Sequence, residues 1–554
     1  MKPSREENSL PWRQSRDWIV VALLCCATCA LKSSIVALRE VPGHGDIAQY
    51  YTLSKNIAEG RGMFLDYVAT WLSPPDELRV SGVGYWMPLA SWISALGMTI
   101  EGDTSFFAAG RAMAVFTSLV PAVIYLLGRE ALGSRIQALL AALLAVSFHA
   151  FLDRGSQVTS FGPVAVLAPL ALFGVLRSLD DRRWLWLVGS IAAIAHMNRS
   201  DGLLWLPVAF AAIFLACRGG ERGLRPRDIW WAGAAYAIAL SPLLISSYLT
   251  QGTLLPAGQW RVALLTEYPD LYSLPSRVNW DTYRAQGLGP ILAAKWDALL
   301  ENLVTVGTSL ATGDGMRGWD RMVGLTPYAW LALGWSGVFF LRRKLLLISG
   351  IRLAADLTLY ALIFTYTGHT SFISVLCILY PVLLCGAARS LTVGWTVIAG
   401  KQRAWQPRAV AATVAVLALV GWMSVGSVQK AHRFIRQRAA ASLRVHHDQQ
   451  KIFEELIKAN DLDDGAFFVA QTIVHSMHAS TGLRVASLPY RATGDEILDI
   501  SDRLGVTHVL LGRHEQNARV WPELNEILSG PRFREVASLE LGKHEYAVWE
   551  ISAP

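Results

Sequence analysis

Residues 43–62 read GHGDIAQYYTLSKNIAEGRG, and the carboxylate of Asp46 opens this segment just after the first long apolar run of the chain. A carboxylate in that place suits two roles. Asp46 followed by Gln49 has the spacing of a capping box, in which Asp46 accepts a bond from a backbone N–H and Gln49 reaches back. The same carboxylate, held where water meets lipid, suits a general base, because burial there raises a carboxyl pKa towards a useful value. As a helix ending at Gly60, the segment sets Ile47, Tyr50, Ser54, Ile57 and Ala58 on one side, with Gln49, Thr52, Lys55, Asn56 and Glu59 largely opposite. Such a helix lies flat on the interface. These residues alone favour the cap, which accounts for Asp46 on local physics.

The elements that must position Asp46 are membrane helices. With 554 residues, 53% hydrophobic and 17% charged, and a mean hydropathy of +0.34, the chain is too apolar for one large soluble domain. Apolar runs long enough to cross a hydrocarbon core of roughly 30 Å fall near residues 18–38, 105–128, 134–152, 161–177, 184–198, 202–217, 229–250, 326–341, 345–367, 370–388 and 409–427. That makes a polytopic α-helical membrane protein with about 11 transmembrane helices. The first run follows a basic start and lacks a small-x-small cleavage site, so it reads as an uncleaved anchor. The six cysteines lie in or beside apolar runs and imply no disulfide framework. No phosphate-binding loop, dinucleotide fingerprint, nucleophile elbow or zinc-finger spacing is present, and no nucleic-acid partner is expected.

Orientation follows from the short basic loops. GREALGSR (128–135), RSLDDRR (177–183), CRGGERGLRPRD (217–228), LRRK (341–344) and 389–408 all fall on the side of the N-terminus, which the positive-inside rule makes cytoplasmic. An odd number of spans then puts the long segments 39–104 and 251–325 and the C-terminal domain outside the cytoplasm. The domain organisation is a transmembrane unit over 1–430, a basic linker over 431–444, and a small extracytoplasmic α/β domain over 445–554. In that domain short apolar strands alternate with helices: AFFVAQ, RVASLP, THVLLG, FREVASLEL and EYAVWEI are the strands. Its histidines are spread over several elements and read as solvated or structural, not as a metal site.

The segment from Asp46 through Ala48, Tyr50, Asn56, Gly60 and Gly62 resembles the first extracytoplasmic loop of the GT-C fold glycosyltransferases that use polyprenyl-phosphate sugars, the superfamily of protein O-mannosyltransferases and lipid A aminoarabinose transferases. GYWMPLASWISAL, the arginine-led run GRAMAVFTSLVPAVIYLLGREALGSRIQALLAALLAVS and HMNRSDGLLWLP extend the resemblance over residues 18–260. Three positions depart from the superfamily's pattern, one of them near the tenth run, where members commonly carry a basic residue before a proline-rich helix and this chain has His369, in GHTSFISVLCILYP, and Ser374. Asp46 is followed by Ile47, not by a second acid. After the third run, DRGSQVTSFGP matches Arg154 but carries Ser160 or Phe161 where members often have a carboxylate.

The resemblance implies transfer of a hexosyl or pentosyl group, with inversion, from a polyprenyl-phosphate donor to a glycan, lipid or protein acceptor on the outer side of a bacterial inner membrane. Such transfer needs a base on one face and positive charge at the leaving phosphate on the other. Asp46 is the expected base, with Asp153 next in line. Tyr50, Lys55, Arg61, Arg154, Arg199, Arg261 and His369 are the expected substrate-binding residues. A divalent metal is conceivable for this superfamily, but no clear ligand set supports one. Arg352 and Asp356, spaced i, i+4, are expected to pair within the membrane. Two other readings fit the same pattern: a catalytically silent relative that binds a polyprenyl lipid, or a transporter or flippase with Arg111, Arg352 and Asp356 along its path.

Overall fold

In hydrocarbon a backbone can satisfy its polar groups only within a helix or a closed barrel, so apolar runs of this length fold as helices. The computed structural model describes residues 15–43, 45–73, 75–218, 225–254, 259–312, 326–363, 378–399, 407–470, 473–512, 523–541 and 544–552. Each of the eleven runs carries a helix. α1 (Ser15–Val36) is followed by α2 (Asp46–Ala58), α3 (Leu89–Glu101), α4 (Phe106–Thr117), α5 (Val120–Leu132), α6 (Arg135–Ser147) and α7 (His149–Arg154). Then come α8 (Phe161–Ser178), α9 (Trp184–Asn198), α10 (Trp205–Arg218) and α11 (Ile229–Gln251). The second long loop holds α12 (Trp280–Ala285) and α13 (Leu288–Thr312), before α14 (Thr326–Val338), α15 (Arg343–Leu362), α16 (Leu379–Ala399) and α17 (Pro407–Lys451). Among the described residues seven helical spans are long and apolar enough to cross a membrane, and α6 and α9 are shorter apolar helices.

Ion pairs gather one end of the bundle. Arg135 meets Asp17 of α1 at 3.5 Å, and Glu130 meets both Arg177 at 3.1 Å and Arg342 at 3.0 Å. The start of α1 and the basic loops 128–135, 177–183 and 341–344 therefore share one end. Arg352 and Asp356 pair at 2.8 Å, as their spacing predicts.

The opposite end carries the α/β domain. β4 (Ala466–Val469), β5 (Arg484–Ser487), β6 (His508–Gly512), β7 (Phe533–Leu541) and β8 (His544–Ile551) form its sheet, with α18 (Val474–Thr481), α19 (Gly494–Leu504) and α20 (Leu524–Leu528) between them. The first long loop contributes β1 (Phe64–Leu65), β2 (Tyr67–Val68) and β3 (Val80–Ser81). The sheet order is β2-β5-β4-β6-β8-β7, parallel from β2 to β6 and antiparallel through β8 and β7.

Two features differ from the sequence reading. The domain is not confined to 445–554, because β2 is its edge strand, pairing Tyr67 with Val485 and Val68 with Ala486. A two-residue ladder supplies only a few hydrogen bonds of about 1 kcal/mol each. The anchors are side chains: Trp71 and Tyr67 are fully buried, and Trp71 Nε1 donates to the Ser487 carbonyl at 2.9 Å. Each aromatic of roughly 200 Å² contributes up to about 5 kcal/mol on burial, so packing outweighs the ladder. Nor is 431–444 a linker, since α17 runs without a break from the last apolar run into the domain.

The two long loops meet above the bundle. Leu72 of the first packs with Val262, Leu265 and Tyr272 of the second and with Tyr490 of the domain. Tyr490 N–H donates to the Tyr272 carbonyl at 3.0 Å, and Gln251 at the end of α11 donates to Ser81 and to the Val83 carbonyl, each at 2.8 Å.

Candidate active site

Glycines bracket α2. Gly45 precedes it at φ 66° and Gly60 follows it at φ 76°, left-handed values that only glycine adopts freely. Gly45 is the N-cap, and no side chain caps the helix. The capping-box reading of Asp46 therefore fails: Asp46 is the first helical residue, and Gln49 turns instead to accept from the Tyr67 hydroxyl. The Asp46 carboxylate accepts from Trp86 Nε1 at 2.9 Å and forms no ion pair with a described residue. Solvent reaches Asp46, yet protein surrounds it closely enough that burial holds its carboxyl above the usual carboxylate range. The Trp86 bond and the Arg199 charge pull it back in part.

Trp86 also lines a cavity of 480 Å³ with Gln49, Ser81, Thr250 and Gln251, roofed by the first loop. Asp46 thus stands one hydrogen bond behind the wall of an open chamber between the first loop and the end of α11.

Beneath α2 lies the end of α9. Tyr50, buried next to Asp46, is held by a hydrogen bond with Ser160 and feels the charges of Asp46 and Arg199. Ser160 is one of the two positions, with Phe161, at which the resemblance leads one to expect an acid, and it brings a hydroxyl to Tyr50. Arg199 donates to Asp201 at 3.3 Å and to the Tyr360 hydroxyl at 2.5 Å. Tyr360 donates to Asp201 at 2.9 Å, and Arg352 donates to the Asp201 carbonyl at 3.1 Å while stacking over Trp205. The intramembrane pair Arg352–Asp356 thus buttresses the Arg199–Asp201 network. Arg111 pairs with Glu101 at 3.4 Å.

A second cationic group sits where α1, α7 and α17 meet. Asp153 is buried against Arg39 at 2.8 Å and accepts from Gln157 at 3.0 Å. Arg154 lies 3.8 Å from Asp153 and over the Phe161 ring, next to Ser160. Arg438 of α17 lies within the field of Arg39, Asp153 and Arg154. Asp153 is committed to an ion pair, which unsuits it as a base.

Of the residues named from sequence, the structure brings Asp46, Tyr50 and Arg199 together, with Arg154 on the segment that delivers Ser160. Lys55 lies nine residues further along α2, about 13 Å at 1.5 Å per residue. It pairs with Glu59 at 3.9 Å, and Arg61 pairs with Glu59 and Asp66; both line a different cavity of 640 Å³ against His478 and Arg484. Arg261 donates to the Leu72 carbonyl and ties the two loops together. His369 lies outside the described residues. Trp86 was missed from sequence, although GYWMP marks the segment that carries it. Among the described residues no three His, Cys, Asp or Glu side chains converge as metal ligands. Among the described residues the groups acting on Asp46 are an indole and a guanidinium, a donor set that does not fit a divalent cation, and no step is derived through one.

The model of the dolichyl-phosphate-mannose-protein mannosyltransferase family matches residues 86–245. Among solved structures, the chain is similar to ArnT from Cupriavidus metallidurans in the apo state, with a TM-score of 0.56, 13% identity, and 96% of this chain and 99% of that chain covered. ArnT bound to undecaprenyl phosphate gives a TM-score of 0.55 at 12% identity, covering 97% of this chain and 98% of that one. The Archaeoglobus fulgidus oligosaccharyltransferase in the apo form gives 0.56 at 12% identity, covering 92% and 71%. No curated protein sequence matches the chain. At these identities the likeness is one of fold.

Proposed function

We propose that this chain, a polytopic membrane protein of the GT-C fold, transfers a sugar from a polyprenyl-phosphate donor to an acceptor on the outer side of a bacterial inner membrane, with inversion. The observation that carries the reading is Asp46: a solvent-reached carboxylate, raised above its ordinary range, beside an open chamber and within the field of Arg199. Asp46 takes the proton of an acceptor hydroxyl or amine as that group attacks the anomeric carbon. The bond from that carbon to the phosphate oxygen breaks on the opposite face, and the polyprenyl phosphate leaves as an anion. Arg199 and Arg154 supply the positive charge that stabilises it. The isoprenoid remains in lipid, which suits a site at the outer ends of α9 and α1. Lys55, Arg61 and Arg261 are better suited to holding the loops, or a distal part of the acceptor, than to the phosphate.

The test is reconstitution of the purified chain in lipid with polyprenyl-phosphate-linked hexoses and pentoses and a panel of glycan, lipid and peptide acceptors. The expected result is release of free polyprenyl phosphate together with a product of inverted anomeric configuration, both lost in Arg199→Gln. Retained configuration overturns the single-displacement mechanism. Equal turnover by Arg199→Gln overturns the role of that cation.

A further inference from the structure

The α/β domain has no role in the reaction as written so far, and its histidines remain to be explained. His446, His478 and His508 each bond a neighbour within the domain: Ser480 at 2.9 Å, the Leu483 carbonyl at 2.8 Å and Thr507 at 2.8 Å. His475 differs. It is 3% exposed, and it faces residues of the first loop instead of its own domain.

We infer that His475 is a positioning residue for the active site: through Tyr67 and Trp86 it fixes the Asp46 carboxylate, so the C-terminal domain is a working wall of the site. The inference rests on Asp46 as the base. Its basis is a closed circuit of contacts. The circuit leaves α2 at Gln49, whose side-chain oxygen accepts from the Tyr67 hydroxyl. Tyr67 Oη lies 3.2 Å from His475 Nδ1. The His475 ring meets the Trp86 ring edge-on, with centroids 5.1 Å apart at 85°. Trp86 Nε1 then returns the circuit to α2 by donating to Asp46 at 2.9 Å. Three separate stretches of chain close on the first turn of one helix.

The hydrogen count assigns the tautomer. Tyr67 has one proton and gives it to Gln49, so at the Tyr67 oxygen His475 must be the donor, and Nδ1 carries the hydrogen. A purely space-filling residue has no such duty, and phenylalanine would fill the same volume. Burial, with His478 beside it, lowers the His475 pKa to about 3, so the ring is neutral and adds no charge beside Trp86. Tyr67 is itself fully buried at the sheet edge and packs against His478 at 4.9 Å between centroids. The indole therefore rests on a framework fixed from both the loop and the domain.

The experiment compares His475→Phe, which keeps a ring and loses the donor, with His475→Asn, whose amide N–H stands near the place of Nδ1. Each is assayed for sugar transfer in the full chain, for thermal unfolding, and by fluorine NMR of the protein labelled with fluorotryptophan, with the Trp86 resonance assigned by Trp86→Phe. Displacing a catalytic group by about an ångström costs up to about a hundredfold in rate. His475→Phe is expected to lower kcat roughly ten- to hundredfold with the donor KM unchanged, and to shift or broaden the Trp86 resonance. His475→Asn should recover both. A folded Phe variant with the parental kcat and Trp86 resonance overturns the inference, as does a loss of activity that only tracks the folded fraction. Failure of the underlying reading looks different: Asp46→Asn would then transfer sugar normally while the Trp86 resonance still responded to His475→Phe.

Discussion

Trp86 Nε1 donates to Asp46 Oδ1 across 2.9 Å, joining residues forty positions apart in sequence. The bond favours the ionised carboxylate and so lowers a pKa that burial has raised. Removing it in Trp86→Phe leaves burial less opposed, and the pKa rises further. A general base works deprotonated, so the acidic limb of kcat/KM should move to higher pH in Trp86→Phe, with the alkaline limb unmoved. A pH profile of sugar transfer for parent and variant checks this; a shift to lower pH contradicts it.

Asp153 is expected to matter for stability alone. Its pair with Arg39 is buried, with side chains 7% and 8% exposed, and breaking such a pair from one side costs about 3–5 kcal/mol because the other charge is stranded. Asp153→Asn should therefore unfold at markedly lower temperature. The double change Arg39→Met with Asp153→Leu should recover most of the loss, and neither should move the acidic limb of the rate profile. A stable, folded Asp153→Asn that transfers no sugar would make Asp153 the base instead.

The orientation of the chain is open to direct test. The pairs Asp17–Arg135, Glu130–Arg177 and Glu130–Arg342 place the start of α1 and three basic loops at one end of the bundle, while β2, just beyond α1 and α2, joins the C-terminal sheet at the other. With the basic end cytoplasmic, a reporter active only in the cytoplasm should stay silent when fused after Pro554. The same reporter placed in the 177–183 loop should be active. The reverse pattern inverts the topology.

His475 also gives the domain an acid sensitivity. Its pKa is about 3 in the folded protein against an ordinary 6.5, so between those values the unfolded chain binds a proton that the folded chain refuses. Its contribution to stability is complete above the ordinary value and is lost as pH falls towards 3. The loss runs at about 1.4 kcal/mol per pH unit for a single group. Thermal unfolding of the parent should fall steadily below pH 6.5, and His475→Phe should flatten the dependence. An unchanged slope in the variant assigns the effect to other groups.

How much of this was legible in the sequence follows from the range of each signal. The helices were, because apolar runs bounded by arginines are local. So were the α/β domain's strands and the Arg352–Asp356 pair, whose spacing alone puts both on one helix face. Asp46 stood out through resemblance, but its surroundings did not: the Asp46–Gln49 spacing suggested a cap that Gly45 supplies instead. β2 has only Tyr67 and Val68 to announce it, too few for a period, and its partner is more than four hundred residues away. The basic stretch 431–444 looked like a linker because its charge interrupts the apolar pattern, yet its arginines, alanines and glutamine are good helix formers and α17 simply continues. Trp86 gave no sign of its bond to Asp46, since nothing in GYWMP specifies where an indole N–H will aim.

The central claim, that Asp46 is the base, is tested most directly by the rate of sugar transfer in Asp46→Asn. Because Gly45 and not Asp46 stands at the N-cap, the change removes no cap, and the asparagine oxygen can still accept from Trp86. The account predicts near-parental expression and thermal unfolding together with transfer reduced by about a hundredfold or more, the scale of losing a general base. Transfer by a folded Asp46→Asn at close to the parental rate would contradict it.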